Sequence, residues 1–273
     1  MILPDLLHPS PVVTVLRLHG AIGGHAGPLR SGLSLSSLAG VIERAFQPRR
    51  LAAVALVINS PGGSPVQSSL IGQRIRALAD EKSVPVIAFA EDMAASGGYW
   101  LAMAADELYV DESSIIGSIG VISAGFGFPS LLERLGVERR VYAQGERKAM
   151  LDPFRPEDAD DVARVKALQA DIHEAFKALV RRRRAGRLKA PEEQLFNGDV
   201  WTGRRAVELG LADGIGEVRQ VMRARFGDKV RLRAVATPKS WLRRQLKIAD
   251  PSEWAEALLD AVEQRALWRR FGG

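Results

Sequence analysis

Three largely apolar runs, each stopping at a glycine-rich polar loop, constrain this chain more than any other feature. Val12–Leu18 leads into HGAIGG, Ala52–Ile58 into NSPGGSP, and Val84–Ala90 into EDMAASGG. Runs of this kind read as strands buried in a parallel sheet, with the loops at their ends free to carry function. Between them, Leu33–Phe46 and Ser68–Ala79 hold apolar residues at helical spacing. The order strand, helix, strand, helix, strand is that of an α/β fold.

Further along, the pattern predicts a helix over Tyr99–Ala105, a short strand at Glu107–Val110, a Gly/Ser-rich stretch Ser113–Pro129 and a short strand at Arg139–Ala143. Pro156–Arg184 carries the clearest helical signal, because Val165, Leu168, Ile172, Phe176 and Leu179 recur at steps of three or four. It ends in RRRRAG, whose cations and glycine suit a solvated helix C-terminus rather than a nucleic-acid or lipid contact. Residues 197–217 read as a loop, a short helix and a turn.

Charge divides the chain. Residues 1–218 carry 25 basic and 26 acidic side chains, whereas residues 219–273 carry 13 and 6. A near-neutral body argues against nucleic acid as a partner and isolates a basic tail. We therefore divide the chain into residues 1–234, the main domain, and residues 235–273, a tail rich in Trp, Leu and Arg. Trp254, Leu258 and Val262 in that tail could share a helical face, with Arg265, Arg269 and Arg270 supplying cations. Packing on the body or on a neighbouring subunit is the favoured role for this helical tail, and peripheral contact with anionic lipid is the other. The first residues, MILPDLLHPSP, lack the positive region and apolar run of a signal peptide. The uncharged stretches Leu51–Gln73 and Ser113–Leu132 are broken by Gly, Pro, Ser and Asn, which argues against membrane spans. A cytoplasmic protein, at most peripheral to a membrane, is expected.

The chemistry is narrowed by what is missing. With no cysteine, thiol catalysis and cysteine-ligated metals are excluded, and the HExxH zinc spacing is absent, so no metal site is expected. Of the histidines His8, His19, His25 and His173, only His19 ends a strand, where a structural role is the better reading. Ser96 is different. In EDMAASGGYW it falls between a strand and the first turn of an apolar helix, where a sharp turn exposes a hydroxyl and the Gly97 amide points outward toward developing negative charge. NSPGG offers a second amide donor at Gly62 or Gly63. An N-cap serine in a tight turn explains the same SGG string equally well.

A serine without histidine needs another base, and lysine must be neutral to act as one. Free lysine titrates at ~10.4, so burial or nearby positive charge must lower that value. Lys148, beside Arg147 and ahead of Ala149, Met150 and Leu151, suits both, although an exposed lysine is the default; Ser118 in IIGSIGV is a candidate partner for its amine.

Taken together, these residues resemble the signal peptide peptidase A family of Ser-Lys peptidases. LHGAIGG, INSPGGSP, VIAFAEDMAASGGYWLAMAADELYVDESSIIGSIGVI, GERKAMLDPFRPE and NGDVWTGRRAVELGLADGIGE follow in family order over roughly residues 12–220. The resemblance implies Ser96 as nucleophile, Lys148 as general base, Ser118 as the hydroxyl orienting the lysine, and the amides of Gly97 and Gly63 as the oxyanion hole, with no metal and no cofactor. It also implies a Clp-protease/crotonase spiral of β-β-α units, a homo-oligomer, and as substrates signal-peptide remnants or other short or unfolded peptides. The membrane anchor common in the family is not seen in this sequence. Two alternatives stand beside the peptidase: a crotonase-type acyl-CoA enzyme and a catalytically silent oligomeric scaffold. The joint presence of Ser96, Ser118 and Lys148 favours the peptidase.

Overall fold

The structure is a computed structural model and describes residues 10–23, 32–145 and 147–235. The basic tail beyond residue 235, on which the expected helical face and the lipid or subunit contact fall, lies outside the described residues, as do His8 and His25.

The three apolar runs are the strands β1 (Val12–His19), β2 (Leu51–Ser60) and β3 (Val86–Ala95), paired in parallel in chain order. Alternate residues of these strands face two cores. Leu16, Leu18, Leu56 and Ile58 point to one side, where they pack with α1 (Leu35–Ala45), α2 (Pro65–Lys82) and the later helices α3 (Gly97–Ala102) and α5 (Ala159–Arg183). Val13, Val15, Ala55, Val57 and Phe89 point to the other, where α8 (Val218–Phe226) inserts Met222. Burial on both faces is why the runs are continuously apolar rather than alternating. Truncating a fully buried member such as Ile58 or Leu56 to Ala would cost about 2–5 kcal/mol.

A break in register at the end of β3 shapes the site. Ile58 pairs with Ala90, yet Ser60 pairs with Ala94, so β3 accommodates two extra residues over that interval. A bulge of this kind bends a strand. Below it, Ile87–Ala90 pairs with β4 (Glu107–Val110); above it, Met93–Ala95 pairs with β5 (Ile115–Gly117). β5 in turn pairs antiparallel with β6 (Val200–Thr202), β4 pairs with β7 (Gly214–Ile215), and β8 (Arg231–Ala234) lies parallel to β1 at the far edge. This α/β sheet, in which helices alternate with β1, β2 and β3, is of the Clp-protease/crotonase type.

The structure corrects several expectations. Residues 139–143 form no strand: the segment alternates in hydrophobicity, but Tyr142 is 91 % exposed and the segment pairs with no strand among the described residues. The Gly/Ser-rich stretch contains β5, and α4 (Pro129–Leu135) begins at its end. The helix expected at Tyr99 starts earlier, at Gly97. The Arg run that ends α5 is only partly solvated: Arg182 is exposed, but its neighbours are engaged. Arg184, 3 % exposed, donates to the Gly210 carbonyl and pairs with Asp213 at 2.6 Å; Arg183 reaches Asp106 and the Ala105 carbonyl; Arg187 also meets Asp213; and Arg181 bridges Glu174 and Glu192. Arg183, Arg184 and Arg187 tie the end of the long helix to the residues just before β4 and β7. A buried arginine left without Asp213 would be costly, because its charge would be unpaired away from water.

Candidate active site

Ser96 occupies the junction of β3 and α3 with φ 53° and ψ −120°. A non-glycine residue in that region is strained by roughly 1–3 kcal/mol and persists only where its surroundings hold it. Here the Ser96 N–H donates to the Gly117 carbonyl at 2.8 Å, and its own carbonyl accepts from Trp100 N–H at 3.0 Å, opening α3. The helix is anchored behind the site by Tyr99, fully buried, whose hydroxyl donates to the Leu211 carbonyl at 2.8 Å. Burial pushes that phenol far above the usual tyrosine range, so it stays neutral. Although Ser96 stands at the N-cap position, its side chain makes no capping hydrogen bond. A serine placed there to stabilise the helix would spend its oxygen on the second or third amide of the turn. Among the described residues, the Ser96 hydroxyl is half-buried and uncommitted.

The second loop packs directly against this turn. A Cβ on Gly62 would come within 2.7 Å of both the Gly97 nitrogen and the Ser96 Cβ, so only glycine allows the two loops to touch. Gly63 has φ 135° and forms a parallel bridge with Ile22: Ile22 N–H donates to the Gly62 carbonyl at 2.8 Å, and Ser64 N–H donates to the Ile22 carbonyl at 2.7 Å. With the peptide groups on either side turned toward Ile22, the N–H of Gly63 itself faces the opposite way. It borders Gly97, since a Cβ built there would sit 3.3 Å from the Gly63 nitrogen. Gly97, first residue of α3, has no intrahelical acceptor for its own N–H. Two buried serines brace this arrangement, and neither was anticipated from the sequence. Ser60 Oγ accepts from Gly62 N–H at 3.2 Å, and Ser68 Oγ donates to the Ser64 carbonyl at 2.9 Å beside Gly97. Their spacing from the PGG string, immediately before it and one helical turn after it, was the available signal.

Ser118 follows β5 with φ 52°, half-buried, its N–H held by the Asp199 carbonyl at 2.7 Å. The Gly117 carbonyl on its N-terminal side is the group that fixes Ser96, so one peptide unit joins the two serines. Ser96, Gly97, Gly63 and Ser118 thus belong to one end of the sheet.

Lys148 does not. It lies in an arm, residues 121–158, that folds mainly on itself: Phe128 N–H donates to the Pro153 carbonyl, and Arg139 pairs with Asp152 at 3.0 Å and lies over the Phe154 ring. Lys148 is exposed, contrary to the burial its apolar neighbours suggest, because Ala149 and Met150 are themselves only half-buried. It faces an open hollow of about 580 Å³ lined by Arg139 and residues 141–144 and 148–153, all from the arm itself. Within one chain its amine meets neither Ser96 nor Ser118 among the described residues. The arm also exposes large apolar side chains, including Phe126 at 83 % and Tyr142 at 91 %.

Neither described histidine serves Ser96. His19 ends β1 and pairs with Glu91 at 3.0 Å, while His173 on α5 bonds the Ile119 carbonyl at 3.0 Å. No group of acidic or histidine side chains among the described residues could hold a metal ion, and no helix there is long and apolar enough to cross a membrane. What remains is an uncommitted hydroxyl next to two outward amides, the pairing that acyl transfer requires.

Fold and loops together define an α/β protein of the Clp-protease/crotonase class. Residues 78–230 match peptidase family S49, and the chain belongs to that family. The matched stretch holds Ser96, Gly97, Ser118 and Lys148, while Gly63 precedes it. Among relatives, the chain is 49 % identical over 271 residues to a protein of Brucella abortus (strain 2308) named Na(+)/H(+) antiporter NhaA, covering 95 % of this chain and 37 % of that one. It is 31 % identical to the chloroplastic serine protease SPPA of Arabidopsis thaliana, over 75 % of this chain and 30 % of that protein, and 30 % identical to Protease 4 of Haemophilus influenzae, over 81 % and 36 %. The chain thus spans little more than a third of these relatives' length, or less. The solved structure of a membrane-bound stomatin-specific protease mutant shares the fold, with a TM-score of 0.52 at 16 % identity, covering 83 % of this chain and 98 % of that one.

Proposed function

We propose that this chain is a serine endopeptidase in which Ser96 attacks a peptide carbonyl, Lys148 is the base, and the amides of Gly63 and Gly97 receive the oxyanion. The observation that carries the reading is the strained Ser96, with its hydroxyl unspent on capping and the two amides beside it. Neutral Lys148 takes the Ser96 proton as the Oγ–carbonyl bond forms; the resulting lysinium protonates the leaving amine as the peptide C–N bond breaks. Water, deprotonated by the same amine, then releases the acyl group and restores Ser96. Ser118, joined to Ser96 through the backbone, orients the amine.

The exposure of Lys148 makes assembly part of the reading. The uncovered Phe126 and Tyr142 mark the arm as the surface that a second copy covers, and such cover also withdraws the lysine from water, as its neutral form requires. Substrates are peptides or unfolded segments, with signal-peptide remnants supported by the family resemblance. An acyl-CoA enzyme would have no use for an activated serine, and a silent scaffold would have no reason to keep one in a strained conformation.

The test is cleavage of an unfolded protein substrate by the full chain. Ser96→Ala and Lys148→Met are each expected to abolish it while leaving circular dichroism unchanged. A mixture of the two variants is expected to recover part of the activity if the dyad forms between copies. Wild-type turnover in either single variant would overturn the assignment.

A further inference from the structure

The string Asn197-Gly198-Asp199, at the turn into β6, is not used by the function proposed above, yet it connects to Ser96 through a short hydrogen-bonded path. Asn197 Oδ1 accepts from Asp199 N–H at 2.9 Å and Asn197 Nδ2 donates to Asp199 Oδ2 at 2.7 Å, so the two side chains close the turn reciprocally. The Asp199 carbonyl accepts from Ser118 N–H at 2.7 Å, and the Gly117 carbonyl accepts from Ser96 N–H at 2.8 Å. The Gly117 carbonyl and Ser118 N–H are opposite ends of one planar trans peptide, so tilting either end tilts the other.

This peptide closes the end of the β5 ladder, where Gly117 pairs with Ala95 on one side and Val200 on the other, so its orientation depends on how the β6 turn is held. Gly117 has φ 110° and Ser118 φ 52°, and a left-handed serine is disfavoured by roughly 1–2 kcal/mol unless something outside holds it. Gly117 is pressed closely from the same side: a Cβ there would stand 2.7 Å from the Trp201 ring and 2.9 Å from the Asp199 carbonyl. The β6 turn is therefore the outer jaw on the peptide, and Ser96 is the inner one.

We infer that Asn197 and Asp199 are positioning residues that latch the Gly117–Ser118 peptide and through it hold the strained backbone of Ser96 at its working angle. The functional part of this inference rests on Ser96 being the nucleophile; the mechanical part does not. Both side chains are exposed, so replacing them leaves the core unchanged. A turn that only joined β6 to the preceding helix would affect melting temperature alone.

The experiment compares full-length wild type, Asn197→Ala, and the double variant Asn197→Asp with Asp199→Asn. The double variant keeps an acceptor for the residue 199 N–H and an amide-to-carboxylate bond, with the two roles exchanged. Hydrogen exchange at the Ser96 amide, the rate of phosphonylation by a serine-directed phosphonate, and Tm are measured on each. In Asn197→Ala, Ser96 amide exchange is expected to accelerate, and phosphonylation to slow, by roughly tenfold, and the exchanged pair is expected to restore both. Unchanged Ser96 exchange in Asn197→Ala, or a double variant no better than the single one, overturns the latch. If wild type is never phosphonylated while Ser96 exchange still follows the variants, the latch stands and the nucleophile assignment fails.

Discussion

The sheet end that carries Ser96 and the arm that carries Lys148 are built on opposite principles. At the sheet end every loop is tied to another: Gly62 and Ser64 to Ile22, Ser96 to Gly117, Ser118 to Asp199, with glycines where a Cβ would strike backbone. In the arm, α4 buries none of its residues, and the aromatic side chains that would ordinarily form a core face outward. A single chain thus fixes Ser96 and the amides of Gly63 and Gly97, while the segment bearing Lys148 leaves much of its apolar surface uncovered. On the proposed reading, half of the site is fixed by folding and half awaits assembly.

Predictions that separate the two regions differ in size. At the sheet end, Ser96→Ala is expected to lower kcat by roughly 10⁴-fold or more in a peptidase assay, because nucleophile and base act as one unit. In the arm, replacing Phe126 and Tyr142 together by Glu is expected to convert the oligomer to monomers in sedimentation velocity and remove cleavage, with the far-ultraviolet circular dichroism of wild type. An unchanged sedimentation coefficient would merge the two regions into one preformed unit and break the comparison. Gly63→Ala places a Cβ 2.0 Å from the Ile22 carbonyl oxygen. A fall of roughly 10²–10³ in kcat is expected from the displaced amide, with a lower Tm, whereas activity near wild type would remove Gly63 from the site.

The smallest effect concerns the helix that backs both regions. Hydrogen bonds from Lys177 and Arg181 hold the Glu174 carboxyl down to about 2 from its ordinary 4.5. A lowered carboxylate stabilises the fold fully above its unfolded value and loses that contribution as pH falls toward its folded one. Glu174→Gln is therefore expected to lower Tm slightly near neutral pH, less in high salt since the group is exposed, and to match wild type once pH has fallen below about 2. A Tm difference that persists at the acid end would mean packing rather than charge.

Much of this fold can be read from residue order, for reasons that are themselves physical. β1, β2 and β3 announce themselves because burial on both faces demands unbroken apolar runs, and α5 because its apolar stripe repeats over many turns. β5, β6 and β8 are three or four residues long and owe their pairing to neighbours distant in sequence, so no local pattern marks them. The Arg run misleads for the same reason: its partners Asp106 and Asp213 lie far away along the chain. At the site, Ser96 and the glycine loops were legible as types in the right order. The positive φ of Ser96, its unspent hydroxyl and the bracing by Ser60 and Ser68 arise from contact between loops. The exposure of Lys148 follows from what the arm lacks within one chain, which its apolar neighbours in sequence could not reveal.

The most direct measurement is mass-spectrometric mapping of a serine-directed phosphonate on the assembled full-length protein. One adduct per chain, located on Ser96 and lost in both Ser96→Ala and Lys148→Met, is the expected result. An adduct on a different serine, or an intact oligomer that takes up no phosphonate at all, would contradict the account.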